Sequence, residues 1–450
     1  MGVVLILGLG LVAVVRPGPV DRLLGGSAAP TSAAVSRTPD PTPSAVLAAA
    51  SSAGTAPDAG MVKVALDPLV NSAALGNEVH VSVIDVAAGK VLYERGADVP
   101  ATPASTTKLL TAATVLAARG PAYRLTTRVV AGSAGEVVLV GGGDPTLSVN
   151  AKALFPGAAR LDQLAAQVKT ALGGVAPSKV LVDTSLFSGP ETADGWASDD
   201  IAPLGQVARI QPLMTNAGRV KPVHNEHGGD PRYSDPALAT GKAFAKMLGV
   251  AAVARGQAPV DGKELGAVQS PALVQITDWM LTQSDNTIAD VLARQVAIAA
   301  GKPATFDGAT DAIIAKLREM GLPGDEADLY DGSGLSRHNG ISPALLTQLL
   351  ALAASGQQPA ITGIFGGLPV AGWSGTLEER FATPTPNQIA RGVVRAKTGT
   401  LSGVNTMAGQ LVTKDGRLLV FAIMASGSAS AYTAKAALDR VPARLVLCGC

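Results

Sequence analysis

Residues 104–113 read ASTTKLLTAA. A lysine stands near the start of an apolar, Ala-rich pattern that continues to Ala118 and is stopped by Gly120-Pro121. The spacing predicts a helix, with Thr102 as N-cap and Pro103 at its first position. Ser105 then falls in the first turn and Lys108 three residues on, so both side chains share one face. The helix dipole at that end favours negative charge on a serine oxygen. A lysine half-buried by Leu109, Leu110 and Val115 loses hydration, so its pKa falls and it can accept the serine proton. The plainer reading is a lysine whose charged end reaches back to water. Ser-x-x-Lys occurs only once in the chain.

Around this stretch the pattern is that of a large globular chain. The 450 residues are 47% hydrophobic and 16% charged, with a formal net charge of +1. That balance excludes a basic nucleic-acid binder and the disordered, highly charged classes. Residues 79–86 read as a buried strand, Ala88-Gly89 as a turn, and Val91 to Glu94 as its hairpin partner. His80 in that strand reads as a packed or edge histidine. Strands are expected in LTTRVVAG and EVVLVGGGDPTL and through 179–186, with a helix over 161–172 between them. Residues 187–233 are irregular. Helical periodicity returns over 236–248, 271–280 and 287–300. Three strands are expected at 393–400, 407–412 and 418–424, the last two joined by Lys414-Asp415-Gly416, and a helix closes the chain over 431–447. The fold class is therefore α/β in the α+β sense. The first and last strands form one mostly antiparallel five-stranded sheet flanked by helices, and 124–232 are an insertion. The expected catalytic part is thus discontinuous, 61–123 and 233–450.

The first fifteen residues, MGVVLILGLGLVAVV, are uncharged and mostly apolar. They are short for a spanning helix and suit the h-region of an export signal, with a short membrane anchor or a core segment as alternatives. The basic n-region that usually precedes an h-region is missing, and a start upstream of Met1 is the expectation that accounts for it. Residues 1–24 are thus expected to be leader or anchor, and 25–60, rich in Ala, Ser, Thr and Pro, a linker. This predicts an extracytoplasmic protein. Cys448 and Cys450 offer neither a disulfide framework nor a metal pattern. His224, Glu226 and His227 hint at a metal, but they stand in a Gly/Pro-rich loop rather than on a zinc-protease helix, and no metal or cofactor is expected.

Two further short motifs carry polar groups suited to the same chemistry. Ser284-Asp285-Asn286 lies between two helical patterns. In an extended loop Ser284 and Asn286 point the same way, one to relay a proton and one to hold a carbonyl. The plainer reading is an N-cap for the following helix. Ser148-Val149-Asn150 is a weaker copy. Lys397-Thr398-Gly399 lies on an expected strand, where Lys397 and Thr398 could bind a carboxylate and Gly399 would let a peptide backbone approach. Its plainer reading is a solvated strand end.

All three motifs occur in order, on a helix start, an inter-helix loop and a strand, which is the signature shared by penicillin-binding proteins and class A β-lactamases. The gap between Ser105 and Ser284 is far longer than in a compact class A β-lactamase. With GGGDPTL (141–147), the run SPALVQITDWMLTQSDNTIADVLARQVA (270–297) and DGSGLSRHNGISP (331–343), the chain resembles the class C low-molecular-mass penicillin-binding proteins, serine D-alanyl-D-alanine carboxypeptidases/endopeptidases. The resemblance covers about residue 79 to the C-terminus. It implies Ser105 as nucleophile, Lys108 as base, Ser284 and Lys397 as proton relay, and Asn286 as holder of the substrate amide. It further implies Lys397 and Thr398 at the substrate carboxylate, an oxyanion hole at the Ser105 and Thr400 N–H groups, and Arg337 lining the side-chain pocket. Peptidoglycan stem peptides would be the substrates and β-lactam antibiotics covalent inhibitors. The alternatives are a β-lactamase and a non-catalytic β-lactam or peptidoglycan sensor. No ExxLN-like sequence, the deacylating element of class A β-lactamases, follows Ser284; Glu319 and Glu326 lack that context.

Overall fold

The computed structural model describes residues 54–225 and 229–448. The expected leader or anchor and most of the linker lie outside these residues. So do Glu226 and His227.

The chain opens with α1 (Ala59–Val70), capped by the Asp58 side chain, which accepts from the Met61 N–H at 3.0 Å. The hairpin β1 (Glu78–Asp85) and β2 (Lys90–Arg95) follows, then α2 (Lys108–Arg119). A second group comprises β3 (Thr126–Ala131), β4 (Val137–Val140), α3 (Leu161–Ala171), β5 (Val180–Asp183), α4 (Pro236–Leu248), β6 (Val253–Arg255) and β7 (Glu264–Gln269). Next come α5 (Leu273–Gln283), α6 (Asn286–Ala299), α7 (Phe306–Glu319), the short pair β8 (Ala327–Asp328) and β9 (Gly340–Ile341), α8 (Pro343–Ala354) and the single turn α9 (Pro359–Thr362). The strands β10 (Arg395–Leu401), β11 (Val404–Val412) and β12 (Leu418–Ser426) and the helix α10 (Ala431–Val446) end the fold.

The first sheet has the order β10-β11-β12-β1-β2, antiparallel throughout. Alternation along its strands divides the core in two. Val79, Val81, Val83, Phe421 and Ile423 face one layer with α1 and α10, including Leu66 and Val441. Ile84, Val420, Ala422 and Met424 face the other, with Leu109, Leu110, Ile288 and Leu346 of the central helices. This explains why β1 shows so little polar contrast: it is covered on both sides. Its inward Ser82 is satisfied by the Thr347 hydroxyl at 2.7 Å, and His80 packs with Nδ1 3.1 Å from the Gly96 carbonyl.

The second sheet, ordered β6-β5-β4-β3-β7, pairs β4 with β5 and β5 with β6 in parallel. Leu161, Leu164 and Val168 of α3 and Phe244 and Leu248 of α4 pack on it. The boundary expected at 232 is therefore too early. α4, β6 and β7 belong with the second sheet, because β7 closes its far edge against β3 and β6 extends it beside β5. β10 is an edge strand of the first sheet, leaving the Lys397-Thr398-Gly399 stretch beside the turn that carries Ser105. Among the described residues no helix is long and apolar enough to cross a membrane.

Candidate active site

ASTTK folds as a 3₁₀ turn, Ala104–Thr107, running into α2, rather than as the first turn of an α-helix capped by Thr102. Local bonds and distant contacts both fix it. The Thr106 hydroxyl donates to the Pro103 carbonyl at 2.7 Å and the Thr107 hydroxyl to Ala104 at 2.9 Å. Thr406 on β11 also donates to the Pro103 carbonyl, at 2.8 Å. Ala104 is held at φ 48°, a left-handed conformation unusual for a residue with a Cβ. Gly334 presses on the same place: a Cβ there would lie 1.8 Å from the Ala104 carbonyl oxygen, so only glycine fits.

Lys108 opens α2 and has no exposed surface. Its Nζ lies 3.0 Å from Ser105 Oγ, 2.6 Å from Asn286 Oδ1 and 2.6 Å from the Ser333 carbonyl oxygen. A carboxamide oxygen and a backbone carbonyl can only accept, so a neutral amine gives them its two N–H bonds. Its lone pair is then left for the Ser105 hydroxyl. Burial pushes Lys108 down to about 8, while Asp290, Asp331 and Asp285 pull against that shift without cancelling it. Lys397 is as deeply buried, and burial followed by the charge of Lys108 holds it well below the usual lysine range. The charge of Lys108 thus acts on Lys397, whereas the shift of Lys108 comes from burial. Lys397 Nζ donates to the Thr398 carbonyl at 2.7 Å.

The second motif is not an extended loop. Ser284 ends α5 in left-handed backbone, φ 58°, and Asn286 is the first residue of α6. Asp285 between them is the N-cap, accepting from the Ile288 N–H at 3.0 Å. Asp285 is thus the cap of the plainer reading, while Ser284 and Asn286 line the cleft. The Asn286 amide nitrogen donates to the Gln206 carbonyl at 3.0 Å.

Ser105, Ser284, Asn286, Arg337, Thr398 and Thr400 line one cleft of about 660 Å³. Lys108 and Lys397 lie buried behind its wall. Thr398 Oγ1 is 2.6 Å from the hydroxyl of Thr376, a cleft residue the motifs do not mark. Arg337 is exposed and donates to the Ser402 carbonyl at 3.2 Å. Gly399 has a packing role in the fold. A Cβ there would meet Thr406 Oγ1 at 2.2 Å and the Pro103 carbonyl at 2.8 Å, so the glycine lets β10 close against the Ser105 turn. Ser148, of the weaker SVN copy, donates to the Asn150 carbonyl and is not among the cleft residues.

Three supporting carboxylates escaped the sequence reading. Asp331 is fully buried and accepts from the N–H groups of Ser333, Gly334 and Ser336, the Asn339 amide and Trp196 Nε1. Asp290 accepts from the Gly332 N–H at 2.8 Å, in the same loop as the Ser333 carbonyl that Lys108 uses. Burial, then the neighbouring Asp331, pushes Asp290 well above the usual carboxylate range. Its position four residues after Asn286 on one helix was the available signal. Asp230, the third, pairs with Arg219 Nε at 2.7 Å. His224 packs edge-on against Trp279, and burial lowers its pKa. Among the described residues no group of His, Cys, Asp and Glu is placed to hold a metal ion.

A serine paired with a buried lysine beside an edge strand defines the penicillin-binding class of acyl-serine enzymes. The sequence profile of the D-Ala-D-Ala carboxypeptidase 3 (S13) family matches residues 62–246 and 228–445. A carboxypeptidase of Mycobacterium tuberculosis is 37% identical over 98% of this chain and 96% of its own length. Carboxypeptidase DacB of Mycolicibacterium smegmatis is 39% identical over 82% of this chain and 80% of its own. The crystal structure of penicillin binding protein 4 from Haemophilus influenzae superposes with a TM-score of 0.67 at 22% identity, covering 85% of this chain and 98% of that one, and shares the fold. The chain belongs to the D-Ala-D-Ala carboxypeptidase 3 (S13) family, the low-molecular-mass class C penicillin-binding proteins.

Proposed function

We propose that this serine peptidase removes the terminal D-alanine of peptidoglycan stem peptides outside the cytoplasm, through an acyl-enzyme on Ser105. The observation that carries the reading is the geometry at Lys108, whose two other partners can only accept and so leave its lone pair for the Ser105 hydroxyl. Lys108 takes the Ser105 proton as Oγ bonds to the carbonyl carbon of the penultimate D-alanine. The N–H groups of Ser105 and Thr400 hold the oxyanion. When the intermediate collapses, the C–N bond breaks and the proton taken by Lys108 passes through Ser284, backed by Lys397, to the leaving D-alanine nitrogen. Asn286 orients the substrate amide. The hydroxyls of Thr398 and Thr400, with Lys397 behind them, receive the terminal carboxylate, Gly399 keeps that strand against the nucleophile, and Arg337 borders the peptide side chain. Water then cleaves the ester.

Penicillin would enter the same cleft and acylate Ser105. The β-lactamase alternative finds no deacylating carboxylate at Glu319 or Glu326. Glu319 pairs with Lys316 and Glu326 with the Ser342 hydroxyl, and neither lines the cleft. The N-terminal segment would export the chain, as cleaved leader or as anchor. The test is incubation of the wild type and Ser105→Ala with fluorescent penicillin and with a D-Ala-D-Ala peptide. The wild type should be labelled stoichiometrically and release D-alanine, and the variant should do neither. Fast turnover of penicillin, or activity surviving in the variant, overturns the reading.

A further inference from the structure

The long irregular segment between β5 and α4 contributes no strand to the second sheet. It lies across the N-terminus of α6, where the Ser284–Asn286 motif sits. The Ala208 N–H donates to the Thr287 hydroxyl at 2.9 Å, and the Gln206 carbonyl accepts from Asn286. Arg219 of the same segment reaches Asp285 itself. Its Nη1 lies 2.8 Å from Asp285 Oδ2, off the N–H axis, so the contact is ionic rather than an aligned hydrogen bond. Its Nε is fixed on the other side by Asp230 Oδ2 at 2.7 Å. Asp230 is steadied in turn by the backbone and side-chain N–H groups of Asn225.

Both partners of the central pair are closed to solvent, with side-chain exposures of 3% for Arg219 and 0% for Asp285. A carboxylate so placed needs a fixed countercharge or it is driven toward protonation or toward water. Asp285 stands between Ser284, in an uncommon left-handed conformation, and Asn286, which holds Lys108. A shift of Asp285 therefore moves both neighbours.

We propose that Arg219 is a positioning residue for the acylation step, clamping Asp285 so that Ser284 and Asn286 stay aimed at Ser105 and Lys108. The inserted segment is then a bracket on the catalytic loop. This rests on the roles given above to Ser284 and Asn286. Arg219 acts through Asp285 and exchanges no atoms with substrate. Small displacements of catalytic groups cost on the order of 10²-fold in rate, which sets the size of the expected effect.

The test uses the full chain and four variants, Arg219→Lys, Arg219→Gln, Asp285→Asn and the double variant Arg219→Gln/Asp285→Asn. The rate constant for penicillin acylation and its pH profile are measured, with kcat and KM for D-alanine release, beside thermal melting. Arg219→Gln should lower acylation by roughly 10- to 100-fold, with kcat falling more than KM rises. Arg219→Lys should recover part of the loss. The double variant should be faster than Arg219→Gln, because Asp285 is then no longer a buried anion without its arginine. A folded Arg219→Gln protein acylating within twofold of wild type overturns the proposal, as does a double variant no faster than the single one. If Arg219→Gln does not fold, Asp285→Asn decides: slowed acylation supports the clamp, and a wild-type rate overturns it. Ser105→Ala, run alongside, keeps the two ideas apart. If it still labels, the catalytic reading itself has failed; if it does not, an unaffected Arg219→Gln removes only the clamp.

Discussion

Lys108 makes a quantitative prediction about pH. Burial takes it from 10.5 to about 8, which corresponds to roughly 3 kcal/mol in favour of the neutral amine relative to water. Only that neutral form can accept the Ser105 proton. With a pKa near 8, about 1% of the protein carries the base at pH 6, about 9% at pH 7 and half at pH 8. The second-order rate of acylation by penicillin, whose carboxylate stays ionised throughout, should therefore rise ~50-fold from pH 6 to 8 and less than twofold from pH 8 to 10. Stopped-flow fluorescence with a labelled penicillin measures this directly. A lysine at its ordinary value would give a rate climbing about tenfold per pH unit to pH 10. That outcome refutes the reasoning, as does a profile already flat at pH 6, which would mean that some other group is the base.

Three further outcomes test separate parts of the site. Gly399→Ala places a Cβ 2.2 Å from Thr406 Oγ1; overpacking of this kind costs about 1–3 kcal/mol, read from urea unfolding, and an unchanged midpoint would show that β10 does not press on the Ser105 turn. Ser284→Ala should leave the fold intact and slow acylation by ~10²–10⁴-fold, the usual weight of a positioned proton-transfer group; a rate within threefold of wild type removes Ser284 from the relay. Burial pushes Asp285 up, but the charges of Arg219 and Arg232 and the Ile288 N–H reverse this and bring it down to about 2 from 3.8. A folded-state pKa below the unfolded one means stability present above about pH 4 and lost as pH falls toward 2, here about 2 kcal/mol. Asp285→Asn should lack that part of the acid dependence in denaturant titrations between pH 2 and 5; an unchanged dependence would show that Asp285 is not ion-paired in the fold.

What could be read in the sequence is what repeats locally. The hairpin of β1 and β2, the helix from Pro236 to Leu248 and the three closing strands have clean periodicity and turn residues at their ends, and they fold much as expected. β6 is only three residues long, and β7, with the sequence ELGAVQ, has little alternation; both owe their strand state to partners far away, at Val180–Val182 and Thr126–Val130. The 3₁₀ turn at Ser105 has the same origin, since Gly334 and Thr406 fix it across more than two hundred residues. The motif residues were legible because their side-chain chemistry is unusual in an apolar setting. Arg219, Asp230 and Asp331 were not, because an arginine or aspartate in an irregular segment looks solvated until its buried partner is known.

The carboxylates around Lys108 explain why it can remain a base. Three aspartates act on this lysine, and a free carboxylate close by would hold the ammonium charged. None of the three is free. Asp285 is matched by Arg219. Asp331 is turned onto three backbone N–H groups, an amide and an indole, and so folds the DGSGLSR loop instead of pairing with the lysine. Asp290, whose pKa burial and then Asp331 push well up, is turned onto the Gly332 N–H. Carboxylates engaged in this way can build the walls of the site without cancelling the effect of burial at Nζ. The hydrogen bonds that shape the cleft are thus also what leaves burial as the dominant influence on Lys108, and the fold of the loop and the basicity of the lysine have one physical cause.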